Sequence, residues 1–500
     1  MQTSIESSAS TSSFTFERQK QVATALRTVL PANSVLFHAE DTTPYECDAL
    51  AAYRQRPMVV ALPENEEQVV AILNICRNLK VPIVPRGAGT GLSGGAVPIV
   101  DGVVLSTAKL NRIVKLDAYA RTAVVQPGVR NLAISDAAAA HGLYYAPDPS
   151  SQIACTIGGN VAENSGGVHC LKYGLTIHNV MRVRMVTIEG EIVELGSTGL
   201  DAPGLDLLAV FIGSEGMLGI VTEVTVKLIP KPQQARVIMA SFDDIVTSGN
   251  AVADVIAAGI IPAGLEMMDK TSVGTVEPFV HAGYDLDAAA ILLCESDGTA
   301  EEVEEEIARM SAVLSSSGAT KIEVSQSEEE RLRFWSGRKN AFPAAARLSP
   351  DYYCMDGTIP RKCLAQVLLG IAEMERKYGL RCANVFHAGD GNLHPLIMFD
   401  ANQPDELHRA ELFGAEILEL CVAVGGTITG EHGVGIEKIN SMCVQFSPLE
   451  REAFFKVKYA FDPAFLLNPD KAIPTLQRCA EYGKMHVKRG EMKFPDLPRF

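Results

Sequence analysis

Five of the nine residues from 87 to 95 are glycine, in the stretch PRGAGTGLSGGAVP at 85–98. Glycine lets consecutive backbone N–H groups converge on one point and lets a ligand come close to the chain. Such a nest binds phosphate oxygens without any lysine. The alternative is a loop that is only flexible. The phosphate cradle is favoured because a predicted buried strand leads into the loop and Arg86 stands at its start.

The same loop matches the G-x-G-x-x-G pattern at Gly89, Gly91 and Gly94. In a dinucleotide-binding Rossmann fold, a helix follows this pattern directly and its N-terminus meets the pyrophosphate. Here Pro98 and a β-rich run follow instead. The sequence therefore does not favour a Rossmann fold.

Two further glycine-rich segments occur at 147–167 and 213–230. The first contains Gly158–Gly159 and Gly166–Gly167 among small polar residues. Three such loops spread along one chain indicate a single extended ligand, longer than a mononucleotide.

The periodicity around these loops predicts a mixed α and β fold. A strand at 57–62, a helix at 65–79 capped by Asn65 and a strand at 81–85 form a parallel opening. Four further strand segments are predicted, of which 182–195 is a hairpin turning near Gly190. They are 101–106, 122–128, 182–195 and 220–229.

After a predicted linker at 231–234, the periodicity resets. Two strand–helix–strand units follow, at 235–269 and 288–326. Two such units in tandem predict a ferredoxin-like α+β layer.

Two histidines lie near the two ends of the glycine-containing segment FHAGDGNLHP at 386–395. Glycine and Pro395 argue against a helix, and a turned loop can bring His387 and His394 together. The segment GGTITGEHGVGIEK at 425–438 offers Glu431 and His432 as well. Two histidines and one glutamate suit a divalent metal with open positions. The alternative is that each histidine is hydrogen-bonded to backbone.

The segment FWSGRKNAFPA at 334–344 offers Arg338 and Lys339. An arginine fork binds a carboxylate through two hydrogen bonds. The alternative is a basic pair on the surface.

The composition of the chain argues against several classes of protein. A formal net charge of −16 argues against a nucleic-acid partner. No apolar run reaches membrane-spanning length, so no transmembrane segment is predicted. The eleven cysteines include no C-x-x-C pair, which argues against an iron–sulfur cluster within this chain. The first 17 residues are rich in Ser and Thr and are interpreted as an N-terminal tail without regular structure.

Together these motifs resemble the FAD-binding family of the vanillyl-alcohol oxidase and para-cresol methylhydroxylase type. Within it the chain is similar to the FAD-linked subunits of bacterial glycolate oxidase, and more distantly to D-lactate and D-2-hydroxyglutarate dehydrogenases. The resemblance runs from about residue 44 to the C-terminus. It implies an α+β fold with a two-subdomain FAD-binding domain and a ferredoxin-like substrate (cap) domain.

The resemblance also implies a division of the chain. It predicts an N-terminal tail and helix (1–43), an FAD-binding domain (44–232), a substrate or cap domain with the metal site (233–455) and a C-terminal segment returning to the FAD domain (456–500).

For the cofactor, the resemblance implies non-covalent FAD, with 85–95 around the pyrophosphate. Some relatives attach FAD through a histidine, but 85–98 has none, and His169 only follows the second loop. The residues implied to contact FAD are Arg86, Gly87, Ala88, Gly89, Thr90, Gly91, Gly94, Gly95, Pro147, Asp148, Ser150, Ser151, Gly158, Gly159, Asn160, Ala162, Gly166, Gly219, Ile220, Val221 and Asn468.

For the chemistry, the resemblance implies that His387, His394 and Glu431 bind a divalent metal (Zn, Mn or Fe). His432 is implied to be the catalytic base, and Arg338 to bind the substrate carboxylate. The expected reaction oxidises a small 2-hydroxy acid to the 2-oxo acid, with hydride transfer to flavin N5. The expected partners are a second FAD subunit and an iron–sulfur subunit, in a cytoplasmic complex or one peripheral to the inner membrane.

Two positions depart from the family pattern. Cys354 stands where relatives that oxidise dicarboxylates carry a lysine, so glycolate or D-lactate is the expected substrate. Asp470 stands where relatives mostly have glycine, which concerns only the local turn. The alternatives are a D-lactate dehydrogenase acting alone, a flavin-free metal hydrolase or lyase, and a subunit that holds FAD only for structure.

Overall fold

The structure, a computed structural model, describes residues 14–199 and 204–474. Residues 1–13 of the predicted tail and 475–500 of the predicted C-terminal segment lie outside the described residues. Across the described ranges, no helix has both the length and the apolar character needed to cross a membrane.

The first part of the chain is a small α/β unit. Its elements are α1 (Phe16–Leu26), β1 (Val35–Leu36), α2 (Ala39–Thr42), β2 (Val59–Ala61), α3 (Glu66–Leu79), β3 (Ile83–Arg86) and β4 (Val103–Ser106). The strands form one sheet in the order β1-β2-β4-β3, with β4 parallel to both of its neighbours. This is the predicted parallel opening, and β3 leads directly into the first glycine-rich loop.

Helix α3 forms as its sequence predicts. The Asn65 side chain accepts a hydrogen bond from the backbone N–H of Gln68 at 2.9 Å and so caps the helix. The helix ends at Leu79, and Lys80, which follows it, adopts a left-handed backbone with φ +51°. Its buried stripe is the predicted one, namely Val69, Ile72, Leu73 and Cys76.

The second part is a separate antiparallel sheet. Its elements are β5 (Ile113–Asp117), β6 (Thr122–Val125), α4 (Asn131–Ala138), β7 (Leu143–Tyr144), α5 (Ile157–Glu163), α6 (Cys170–Tyr173), α7 (Thr176–Asn179), β8 (Val180–Val186), β9 (Ile192–Gly196), α8 (Leu207–Phe211), β10 (Ile220–Lys227) and β11 (Ile229–Pro230). The main sheet has the order β5-β6-β10-β8-β9, and β7 pairs with β11. The predicted hairpin is confirmed as β8–β9, and Gly190 in its turn has φ +82°.

The third part holds one large antiparallel sheet. Its elements are β12 (Gln234–Phe242), α9 (Ile245–Ala257), β13 (Gly264–Asp269), α10 (Lys270–Val280), β14 (Ala290–Gly298), α11 (Ala300–Ser316), β15 (Lys321–Val324), α12 (Glu328–Lys339), α13 (Ala341–Ala345), β16 (Asp351–Cys354), α14 (Leu364–Tyr378), β17 (Cys382–Phe386), β18 (Pro395–Phe399), α15 (Glu406–Ala423), α16 (Met442–Gln445) and α17 (Pro448–Phe461).

This sheet contains the predicted ferredoxin-like layer. Its order is β15-β12-β14-β13-β17-β18-β16, so the two predicted strand–helix–strand units interleave at one side. Strand β17 continues the sheet by pairing with β13, through Met267 and Phe386. The extension by β17, β18 and β16 places the loop between His387 and His394 next to the start of β13, where the Gly389 N–H donates to Leu265 O.

After α17 the chain returns to the first sheet. The backbone N–H of Ile83 donates to Leu466 O at 2.7 Å, and that of Asn468 donates to Ile83 O at 2.7 Å. Leu467 thereby pairs alongside β3, the strand that leads into the first glycine-rich loop. The predicted domain boundaries themselves stay a prediction.

An ionic contact near α6 joins the second and third parts of the chain. His169 Nδ1 lies 2.7 Å from Asp148 Oδ2, and His169 Nε2 lies 3.1 Å from Glu295 Oε1. Glu295 also pairs with Arg331 at 2.7 Å. Burial alone would lower the pKa of His169, but Asp148 and Glu295 outweigh it and hold that pKa well above its usual range.

This contact predicts a pH-dependent stability. The stabilisation by charged His169 should be complete below about pH 6.5, the ordinary pKa of histidine, and be lost as pH rises through the raised pKa. His169→Gln should therefore lower the free energy of unfolding by about 1–3 kcal/mol at acidic pH, and by less at alkaline pH. Denaturant unfolding of both proteins along a pH series measures this. A difference that does not change with pH would contradict it.

Candidate active site

A cavity of about 660 Å³ brings the glycine-rich loops and the third part of the chain together. All three glycine-rich segments contribute to its wall, and so do His394, Glu431 and His432. The predicted FAD-contacting residues that line it are Arg86, Gly87, Ala88, Gly89, Thr90, Gly91, Gly95, Ser150, Ser151, Gly158, Gly159, Asn160, Ala162, Gly219, Ile220 and Val221.

Five predicted FAD-contacting residues lie behind this wall. Gly94, with φ +75°, packs against Ile436. The Pro147 carbonyl accepts a hydrogen bond from Asn131, and Asp148 binds His169. A Cβ on Gly166 would collide with Glu431. The Asn468 amide donates to the carbonyls of Gly95 and Glu215, so it supports the loops from behind.

Two glycines of the first loop are required because side chains of the protein itself pack directly against the backbone there. A Cβ on Gly87 would collide with the Thr156 hydroxyl, and Gly89, with φ +72°, packs directly on the Arg86 guanidinium. Thr156 Oγ1 is buried and has no hydrogen-bond partner in the structure, yet Thr156 lines the cavity. An unsatisfied buried hydroxyl beside a glycine cradle fits a polar ligand.

The loop between β17 and β18 brings the side chains of His387 and His394 close together. His387 follows the end of β17, His394 precedes β18, and Gly391 turns the chain with φ +83°. The ring centroids lie 5.0 Å apart. Glu431 Oε1 lies 3.3 Å from His387 Nε2 and 3.2 Å from His394 Nε2.

Several ring nitrogens that could bind a metal make no hydrogen bond with the described residues. Both ring nitrogens of His394 and Nδ1 of His432 are buried without a hydrogen bond in the structure. His387, His394 and Glu431 each offer one ligand atom within 4.8 Å of the others, and Asp356, His394 and His432 form an overlapping group. The alternative that each histidine is satisfied by backbone does not hold for His394, and the cluster fits a divalent metal.

Glu266 connects the cluster to Arg338. Its carboxylate lies 2.7 Å from His387 Nδ1 and accepts a hydrogen bond from Arg338 Nε at 2.6 Å. Arg338 is only 2% exposed, so it is not part of a surface pair. Its Nη2 has no partner among the described residues. Arg338 does not line the cavity, whereas the next residue, Lys339, does.

The pKa values of Glu431 and His432 differ strongly from their ordinary values. Burial alone would raise the pKa of Glu431, but His387 and His394 outweigh it and hold that pKa well below its usual range. Burial lowers the pKa of His432 to about 4, against the attraction of Asp356. At that pKa His432 is unprotonated at neutral pH, as a general base must be.

Two aromatic rings close the cavity beside His394. Phe342 and Tyr352 both line it, with ring centroids 6.0 Å apart, and Phe342 lies 6.4 Å from His394. Cys354 is buried behind them in a small apolar cluster with Ala383, and it does not line the cavity. The site therefore presents aromatic rings, and not the Cys354 thiol, toward a substrate.

Sequence reasoning did not assign Glu266, Asp356 or Glu215, three buried acids that bond to residues of the cluster or to its loop. A signal existed for Glu266 and Asp356, because each lies among mostly apolar residues, within a predicted strand for Glu266 and just after one for Asp356. A buried charge is retained only where partners compensate for it. Which residues those partners are depends on the tertiary structure.

Comparison with known proteins identifies the class. Residues 57–196 match the family model described as FAD binding domain, and residues 231–472 match FAD linked oxidases, C-terminal domain. Together the fold and these two domains define an FAD-linked oxidase, which confirms the predicted fold class and FAD as cofactor.

Closer relatives specify the family. The chain is 61% identical to the glycolate oxidase subunit GlcD of Escherichia coli K12, over 96% of both chains. It is 41% identical to GlcD of Bacillus subtilis 168, over 85% of this chain and 91% of that one. The chain belongs to the glycolate oxidase subunit GlcD family, which confirms the resemblance read from the motifs.

A solved structure shows the same fold. Crystalline p-cresol methylhydroxylase with substrate bound superposes with a TM-score of 0.77 at 19% identity. The superposition covers 93% of this chain and 98% of that one.

Proposed function

We propose that this chain oxidises a small 2-hydroxy acid, glycolate or D-lactate, to the 2-oxo acid with FAD as the electron acceptor. The observation that carries the proposal is that one cavity is lined both by the glycine-rich loops and by His394, Glu431 and His432. A cofactor held by the loops is then next to a proton acceptor. The alternative of a flavin-free metal enzyme leaves the glycine-rich wall without a role.

His432 is the proposed base. It lines the cavity, is neutral at neutral pH, and its Nδ1 has no hydrogen-bond partner in the structure. It can therefore take the hydroxyl proton of the substrate at Nδ1. When bound, FAD supplies the acceptor for the hydride that leaves the substrate α carbon.

His387, His394 and Glu431 would hold a divalent metal, Zn, Mn or Fe. Two observations support this: the ring nitrogens of His394 make no geometrically acceptable hydrogen bond among the described residues, and Glu431 Oε1 lies 3.2 Å from His394 Nε2. The metal would supply Lewis-acid stabilisation of the substrate hydroxyl oxygen. Arg338, which lies behind the cavity wall, stays the proposed partner of the substrate carboxylate through its Nη2, which makes no hydrogen bond among the described residues. Lys339 lines the cavity and places a positive charge there.

Glu266 should tune the proposed metal site, because its carboxylate fixes the orientation and tautomer of His387. Glu266→Gln is expected to weaken metal binding by about 10–100-fold, while FAD stays bound. Metal content after equilibration with graded chelator measures this. Glu375→Gln, which alters a half-buried acid that accepts the Cys382 backbone N–H, is the control. Equal metal affinity in Glu266→Gln and the wild type would contradict the role.

The proposed partners are a second FAD subunit and an iron–sulfur subunit. The name of the relatives as subunits supports a complex. The proposed location is the cytoplasm, at the periphery of the inner membrane through those partners. A D-lactate dehydrogenase acting alone stays the second candidate for the same site.

A substrate panel tests the proposal. Purified chain with an artificial electron acceptor is assayed with glycolate, D-lactate, L-lactate and D-2-hydroxyglutarate. Turnover of glycolate or D-lactate, without turnover of L-lactate or D-2-hydroxyglutarate, is the expected result. Preference for D-2-hydroxyglutarate would contradict the small-monocarboxylate assignment.

A further inference from the structure

The loop that carries Glu431 and His432 is held by side chains from two different parts of the protein. Residues 429–435, TGEHGVG, form no helix or strand. A loop of this kind needs hydrogen-bond partners for its backbone N–H groups when it is largely buried. Two buried carboxylates, Asp356 and Glu215, provide them.

Asp356 binds the first half of the loop. It follows β16 in the third part of the chain and is fully buried. Its Oδ2 accepts the N–H of Gly430 at 3.1 Å and of His432 at 2.9 Å, and its Oδ1 accepts that of Glu431 at 3.1 Å. The Thr429 hydroxyl donates to it as well.

Glu215 binds the second half from the other side. It belongs to the third glycine-rich segment, lines the cavity and is 5% exposed. Its two oxygens accept the N–H groups of Val434 at 2.6 Å and Gly435 at 2.7 Å. Glu215 adopts a left-handed backbone with φ +51°, an unfavourable conformation for a glutamate that the surrounding contacts maintain.

Lys438 lies beside one of these two carboxylates and also pairs with Glu437. Its Nζ lies 3.4 Å from Asp356 Oδ2 and donates to Gly433 O at 2.9 Å. It thereby ties one of the two carboxylates to the middle of the loop. The loop is thus fixed at both ends and in its centre by charge-assisted hydrogen bonds, which are stronger and shorter than neutral ones.

We propose that Asp356 and Glu215 are positioning residues, which together fix Glu431 and His432 at the boundary between the FAD-binding loops and the C-terminal sheet. Asp356 sets the loop relative to the proposed metal site, and Glu215 sets it relative to the cofactor cradle. This inference rests on the proposed function, because it assigns the two acids to the geometry of that same reaction.

The expected effect is on the rate and not on binding. An amide in place of either carboxylate loses one acceptor and turns an NH₂ group toward backbone N–H donors. A displaced base costs about 10²-fold in rate even when the displacement is small. Asp356→Asn and Glu215→Gln should therefore reduce flavin about 10²-fold more slowly at saturating glycolate, with little change in the glycolate concentration needed for half-saturation.

The experiment measures anaerobic flavin reduction across glycolate concentrations, FAD per chain and the thermal midpoint. Asp269→Asn is the matched control, since Asp269 is a buried acid that accepts N–H groups of Ser272 and Asn384 away from the loop. It should lose stability and keep its rate. Thr429→Val removes one donor to Asp356, together with the contact of the same hydroxyl to Gly433 O, and should slow reduction less, which keeps the inference testable if Asp356→Asn does not fold.

Three outcomes are separable. Slow reduction with FAD bound and unchanged half-saturation supports the inference. Wild-type rates in Glu215→Gln and Thr429→Val, or losses no larger than in Asp269→Asn, overturn it and leave the proposed function standing. Wild-type protein that glycolate and D-lactate fail to reduce overturns the proposed function, and the inference with it.

Discussion

Replacing His432 by alanine is expected to slow flavin reduction by glycolate about 10²–10⁴-fold while FAD stays bound, because general-base catalysis contributes that much. His432 lines the cavity, its ring stacks on His394 with centroids 4.7 Å apart, and its Nδ1 makes no hydrogen bond among the described residues. Among the residues that the structure describes, the only other histidine that lines the cavity is His394, which is a proposed metal ligand. No neighbouring histidine is therefore expected to take over the role of the base.

Stopped-flow measurement of flavin absorbance under anaerobic conditions tests this. FAD content and metal content are measured in parallel, since both should match the wild type. His408→Ala is the control, because the His408 side chain is 69% exposed and far along α15 from the loop at 429–435. Reduction of His432→Ala at the wild-type rate would show that the base is another group.

Removing the proposed metal should have an effect of similar size. His394→Ala, or prolonged treatment with chelator, is expected to slow reduction by about 10²–10³-fold, because Lewis-acid stabilisation of the reacting oxygen contributes several kcal/mol. FAD should stay bound, since the glycine-rich loops are separate from the histidine hairpin. In the chelated wild type, adding back Zn, Mn or Fe singly should restore the rate and identify the metal.

Elemental analysis of the purified chain decides between this expectation and its opposite. One divalent metal per chain in the wild type, and its loss from His394→Ala, is expected. A wild type without metal that reduces its flavin at full rate would mean that the cluster around His394 acts by hydrogen bonding alone.

The sequence predicted those features that depend on local order. The Asn65 cap and the buried stripe of α3 follow from the chain's own periodicity, and both are present. The ferredoxin-like layer followed from two tandem strand–helix–strand units. The histidine pair was predictable because glycine and proline left a turned loop as the only way to bring His387 and His394 together.

Features that depend on long-range pairing were not predictable. Nothing local in β17, β18 or β16 indicates that they extend the sheet beside β13. Gly166 looked like part of a cofactor loop, yet its missing side chain makes room for Glu431. Asp356 and Glu215 each lie more than seventy residues in sequence from the loop they hold, with separations of 74 and 219. Only the folded structure shows such partners.

The most direct measurement mixes the purified chain with glycolate in the absence of oxygen and of any partner subunit. The account predicts a yellow protein whose flavin band bleaches, with one molecule of 2-oxo acid formed for each flavin reduced. D-lactate should act in the same way if it is the better substrate. A metal-loaded, FAD-containing chain whose oxidised spectrum persists with both acids would contradict the account.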